Sequence, residues 1–119
     1  MSRFLDALKT YGASVEEALE RFVGDEELYE SCLESFSQDP DFGALGQAIQ
    51  NQEYQEAFER AHTLKGVAGN LGLDPLYRAL SNLVEALRAK DYRDLAGQLA
   101  EVTASDNAFK ELMKSAGEQ

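Results

Sequence analysis

His62 is the only histidine among the 119 residues, and its neighbours are unusual for a helix. It lies in the run Ala61-His62-Thr63-Leu64-Lys65-Gly66-Val67-Ala68-Gly69-Asn70-Leu71-Gly72. The apolar residues Tyr54, Ala57, Phe58, Ala61, Leu64, Ala68 and Leu71 recur every three or four positions and define the buried stripe of a helix over about 53–71. At 100° per residue His62 falls roughly 125° from the centre of that stripe, which predicts an outward-facing imidazole. Gly66 and Gly69, at i+4 and i+7, share its strip, and each costs about 1 kcal/mol relative to alanine inside a helix. Folding alone does not explain two such residues beside a histidine. Lys65, at i+3, lies about 60° to one side and can reach back over the ring.

The chemistry this suits is nucleophilic. A solvated imidazole is largely uncharged at neutral pH and offers a lone pair. A lysine one turn away can neutralise an oxyanion attached to that nitrogen, and the missing side chains at 66 and 69 let a second protein bring an anionic centre close. Positioning and charge compensation supply most of the catalysis in phosphoryl transfer. The plainer reading is a solvated histidine, two glycines at a close helix contact and an ordinary surface lysine. The residues by themselves leave both readings open.

Helices are predicted almost throughout, because Ala, Leu, Glu and Gln abound and there are only two prolines. A short helix over 3–10 around Phe4, Leu5 and Leu8 ends near Gly12. Ser14 with Glu17 reads as a capping box for a second helix with Val15, Leu19, Phe22 and Val23 on its apolar side. Gly24 stops it, and Asp25 caps a helix over 26–37 carrying Leu28, Tyr29, Cys32, Leu33 and Phe36. Asp39-Pro40 opens a helix over about 40–51, with Phe42, Leu45 and Ile49 on its apolar face. After the histidine helix and its stop at Gly72, Asp74-Pro75 repeats the cap-plus-proline start for a helix over 75–89. The last helix spans about 92–115, with Leu95, Leu99, Val102, Phe109 and Leu112. Short connections make the long helices antiparallel neighbours. The expected fold is all-α, an antiparallel up-and-down four-helix bundle with short extra N-terminal helices. Residues 1–119 form one domain, with the short helices over about 3–23 and the bundle over about 25–116.

Composition narrows the partners. The chain has 11 Lys+Arg against 22 Asp+Glu, a net charge of -11. The acidity is concentrated in residues 1–60, with 14 acidic and 4 basic side chains, whereas residues 61–119 hold 8 and 7. Such a surface repels phosphate backbones and anionic lipid, so neither nucleic acid nor a membrane is expected as a partner. No apolar run reaches the length of a membrane span or a secretory signal, and the single cysteine, Cys32, permits no internal disulfide. A cytoplasmic location is expected. One cysteine and one histidine do not make an ordinary zinc site, so no metal is expected on the chain.

The 61–72 run resembles the signature of histidine-containing phosphotransfer (HPt) domains, His-x-x-Lys-Gly with a Leu-Gly pair soon after and a leucine-rich helix following. Phe22-Val23-Gly24-Asp25-Glu26-Glu27-Leu28-Tyr29, continuing to Leu33 and Phe36, is similar to the family's entry into its bundle, and the resemblance covers roughly residues 14–90. It implies a phosphoryl carrier in a multistep two-component relay, moving the group between aspartates of receiver domains. His62 matches the phosphorylated histidine, Lys65 the lysine that offsets phosphate charge, and Gly66 the glycine that keeps the histidine accessible. Gly69 extends the strip where a partner docks. Implied partners are the receiver of a response regulator or of a hybrid sensor kinase. No cofactor is implied on this chain; magnesium belongs to the receiver. The carrier is a monomer without catalytic turnover of its own.

One position departs from the pattern. Many relatives carry a polar side chain about 22 positions after the histidine, within hydrogen-bonding reach of the imidazole, and here that residue is Val84. Asn82 and Glu85 are nearby but out of register, and Arg78 reads better as surface decoration than as a phosphate ligand. Two alternatives remain: a phosphorylation-independent adaptor using the same helix face, and the histidine-bearing domain of a chemotaxis-type kinase. An intact His62 disfavours the first, and the absence of a following catalytic domain, if the chain is complete, disfavours the second. An independent hydrolase lacks a second base, a metal cluster or a nucleophilic Ser or Cys arrangement.

Overall fold

The three-and-four apolar spacing produces seven helices and no strand over residues 3–117, the part of the chain described by the computed structural model. They are α1 (Arg3–Tyr11), α2 (Val15–Arg21), α3 (Glu26–Ser37), α4 (Asp41–Gln50), α5 (Tyr54–Asn70), α6 (Asp74–Arg88) and α7 (Leu95–Gly117). α5 and α6 share the largest helix–helix interface; α4 covers another side of α5, and α7 packs along α6. α1 and α3 close against α7. One core joins these elements, with Leu8, Tyr29, Leu45, Leu64, Leu80 and Phe109 fully enclosed.

The connections share one stop device. At the ends of α1, α2, α4, α5 and α6 the chain turns through a left-handed residue, respectively Gly12, Val23, Gln52, Gly72 and Lys90. At each, two backbone N–H groups fold back onto carbonyls of the last turn, as Gly72 does to Gly69 (3.2 Å) and Leu73 to Ala68 (3.0 Å). This pairing satisfies carbonyls that a helix end otherwise leaves bare. Gly72 needs its lack of a side chain twice over. Its φ is +72°, and a Cβ there would lie 2.8 Å from the Ser14 carbonyl oxygen.

Several local expectations are corrected by tertiary contacts. Ser14 stands at the N-cap of α2 but makes no side-chain cap bond; its hydroxyl donates to the Asp74 carboxylate instead. Leu73, not Asp74, is the N-cap of α6, and Asp74 is the first helical residue. Asp25 does cap α3, accepting from the Leu28 N–H at 3.0 Å. Two residues assigned to apolar faces lie outside the core: Val23 is 93% exposed and Leu28 49%.

Candidate functional site

α5 carries the candidate residues, and its inner face is built mainly of small side chains. Ala57, Ala61, Leu64 and Ala68 are buried, so α4 and α6 approach closely and the helix cannot roll without opening the core. That fixes His62 on the outer surface, where it is exposed as the helical geometry requires. The imidazole stacks on the half-buried Phe58 ring one turn earlier, with centroids 5.8 Å apart and planes 26° from parallel.

Around the histidine the two expected glycines differ. A Cβ at Gly66 would meet nothing within 4 Å, so the surface one turn beyond His62 is open there. At Gly69 a Cβ would meet Cδ1 and Cε1 of Tyr77 at 3.1 Å. Gly69 therefore accommodates the edge of an aromatic ring from α6, which itself remains partly exposed. Lys65 does not reach back over the imidazole; its Nζ rests 5.7 Å from the centroid of that same Tyr77 ring. A cation–π contact at such a site is worth only about 0.5–1 kcal/mol, so the ammonium can leave it for a stronger anion.

On α6, Val84 is fully buried. The position thus supplies core packing, not a polar partner for the imidazole. Also on α6, Arg88 places its guanidinium carbon 5.4 Å from the Phe58 centroid while the group pairs with Glu85. Arg78 and Asn82 line a groove with Glu101 and Ser105 of α7, on the side of α6 facing away from α5. Phe58, Tyr77 and Arg88 join the expected residues here. Phe58 follows from its i−4 spacing to His62, whereas the contacts of Tyr77 and Arg88 depend on the register of α6 against α5, which no motif encodes.

The end of α5 is pinned by the N-terminal helices. Arg21 Nη1 donates to the carbonyls of Gly69 (3.1 Å) and Asn70 (3.0 Å), a favourable place for a cation because these are the last, electron-rich carbonyls of the helix. The Tyr29 hydroxyl donates to the Leu71 carbonyl at 2.8 Å. Burial pushes that phenol up to about 12, so it remains a donor at any ordinary pH. The Ser14 N–H donates to the Gly72 carbonyl at 2.9 Å.

The arrangement is therefore an exposed imidazole held from one side by an aromatic ring, with clear surface beyond it and a loosely held ammonium one turn away. Among the described residues no three His, Cys, Asp or Glu side chains stand close enough to hold a metal, and no helix is long and apolar enough to cross a membrane. The sequence model of the Hpt domain matches residues 27–118, most of the chain, and the protein belongs to the Hpt domain family. Members of this family act in histidine phosphotransfer within two-component signalling and interact with receiver domains. No curated protein and no solved structure matches the chain.

Proposed function

We propose that this protein carries a phosphoryl group on His62 between the aspartates of receiver domains in a two-component relay. The observation that carries the reading is the exposed His62 beside the open surface at Gly66 on the central helix of an Hpt domain. A lone pair on one imidazole nitrogen attacks the phosphorus of an aspartyl phosphate. The N–P bond forms as the acyl P–O bond breaks, and the electron pair leaves with the receiver's carboxylate. The phosphorylated ring then bears a positive charge, which transfer to the next aspartate removes. Lys65 swings from Tyr77 to compensate the phosphoryl oxygens, Gly66 gives the partner access, and Gly69 with its covering Tyr77 ring belongs to the docking strip.

In this reading the chain is a carrier without turnover, working as a cytoplasmic monomer, and the magnesium ion sits on the receiver. The long helices, with α3 and α4 as one broken member beside α5, α6 and α7, form the up-and-down four-helix bundle, and α1 and α2 are the added N-terminal helices. Incubation with phosphoramidate tests the assignment without a partner. One acid-labile, alkali-stable phosphoryl group is expected by intact mass, and none in His62→Ala. An unmodified wild type with native circular dichroism, or a modified His62→Ala, would overturn it.

A further inference from the structure

Gly69 weakens its helix, and α6 shows what the missing side chain makes room for. A Cβ at 69 would lie 3.1 Å from Cδ1 and Cε1 of Tyr77, closer than ordinary van der Waals contact, so any larger residue there would push the ring off α5. A Cβ at Gly66 would meet no such neighbour. The core does not require this ring. α6 fills the core with Leu76, Leu80, Leu83, Val84 and Leu87, whereas Tyr77 is 38% exposed. What the seated ring does hold is the Lys65 ammonium, with Nζ 5.7 Å from its centroid. Gly69 seats Tyr77, and Tyr77 seats Lys65.

The direction of this contact matters. Along the axis of α5, His62 lies about 4.5 Å before Lys65 and Gly69 about 6 Å after it. The imidazole and the Tyr77 ring thus pull the lysine side chain opposite ways, and one ammonium cannot serve both. Among the described residues nothing else competes, since Lys65 makes no ion pair. An exposed aromatic face favours an ammonium over water about threefold. A phosphoryl dianion on His62 attracts it more strongly and draws it off the ring.

We propose that Tyr77 holds Lys65 away from His62 in the unloaded carrier and releases it on phosphorylation, so that ring and phosphoryl group compete for one ammonium. This rests on the phosphotransfer reading and adds a regulation to the same site. Tyr77 acts through Lys65 and touches no reacting atom, which makes it a positioning residue. A contact present only in the unloaded state stabilises that state alone. Phosphohistidine is correspondingly a better donor to the next aspartate.

The holding contact is read first by NMR on the wild type. The ε-methylene protons of Lys65, identified by their loss in Lys65→Ala, should resonate upfield of ordinary lysine because the Tyr77 ring current shields them. They should return to the ordinary position once phosphoramidate has loaded His62. The competition is read from the plateau of phosphoryl exchange with whichever receiver, in a panel, exchanges fastest with the wild type. At concentrations too low for complexes to accumulate, that plateau compares free species, so a docking defect slows its approach without moving it. Tyr77→Leu should raise the ratio of phosphorylated carrier to phosphorylated receiver about threefold. Tyr77→Phe, which keeps the ring, should restore the wild-type ratio, and in a Lys65→Ala background Tyr77→Leu should move nothing. Lysine protons unmoved by loading, a Tyr77→Leu plateau equal to wild type, or a shift that survives in Lys65→Ala overturns the holding role and leaves phosphotransfer standing. A wild type that neither loads from phosphoramidate nor exchanges with any receiver removes the reading beneath it.

Discussion

At His62 the surroundings are notable for what does not touch the ring. Phe58 supplies a stacked face, and Val84, where a polar partner stands in many relatives, is turned into the core. In the proposed phosphotransfer, charge compensation would fall to mobile cations, of which Lys65, one turn from His62, is the candidate. Among the described residues its ammonium makes no ion pair, only the contact with Tyr77. Arg60, two positions before the histidine, is by contrast engaged by Asp41 at 2.6 Å and Glu56 at 3.4 Å. A unit charge pair about 6 Å apart in an effective dielectric of about 40 is worth about 1.4 kcal/mol. Lys65→Ala should accordingly slow transfer about tenfold, and the deficit should shrink as salt is raised, because the interaction is exposed and screened. Stopped-flow transfer rates at several ionic strengths check this. A salt-independent loss would assign Lys65 a packing role on Tyr77. The exposure of His62 and the open surface at Gly66 were legible from helical spacing. The resting position of Lys65 was not, because it depends on an aromatic residue delivered by another helix.

The two glycines of α5 show how far an element can be read from its own sequence. Both lie on the outward strip and both cost helix propensity, yet Gly66 faces open space and Gly69 faces Tyr77. The face of a helix is a local property fixed by its 3.6-residue period; what covers that face is set by its neighbours. The same distinction explains the corrected caps. Ser14 has the right residue type and spacing for a local cap, but its hydroxyl finds Asp74 across the fold. Helix boundaries agreed within a few residues because Gly72 and Asp25 act locally. Gly66→Leu separates stability from function within one element. Leucine improves intrinsic helix propensity by about 0.8 kcal/mol, and a Cβ at this position meets nothing within 4 Å, so the variant should unfold at higher denaturant. Transfer to a receiver should nevertheless fall at least about a hundredfold, while the small donor phosphoramidate still loads His62. Equal losses with both donors would show that the leucine shields the imidazole itself and not the docking strip.

Over the whole molecule the acidic balance has a buried counterpart in α7. Asp106 falls on the same stripe as Val102 and Phe109, and it is 4% exposed. Lys110 pairs with one carboxylate oxygen at 3.0 Å, and the other has no hydrogen-bond partner. Tyr11 of α1 approaches the same place, donating its hydroxyl to the Ser105 carbonyl at 3.1 Å. Burial raises the Asp106 carboxyl above its ordinary value, with Lys110 opposing, and burial together with the Asp106 charge pushes the Tyr11 phenol up as well. A carboxyl whose pKa is higher folded than unfolded favours the native state when protonated, so its stabilisation is full below the unfolded value and is lost as pH rises through the folded one. At neutral pH Asp106 therefore weakens the closure of α1 on α7. Asp106→Asn should stabilise the protein at pH 7 by about 1 kcal/mol, since the exposed Lys110 end of the ion pair returns little. The advantage should diminish as pH falls towards the unfolded carboxylate value near 3.8. Other groups, such as Asp91 held down at about 2 by Arg93, lose stability in the same direction in both proteins, so the difference between variants isolates Asp106. Urea unfolding at a series of pH values supplies that difference. A constant gap would mean that packing, and not the charge, distinguishes the two residues.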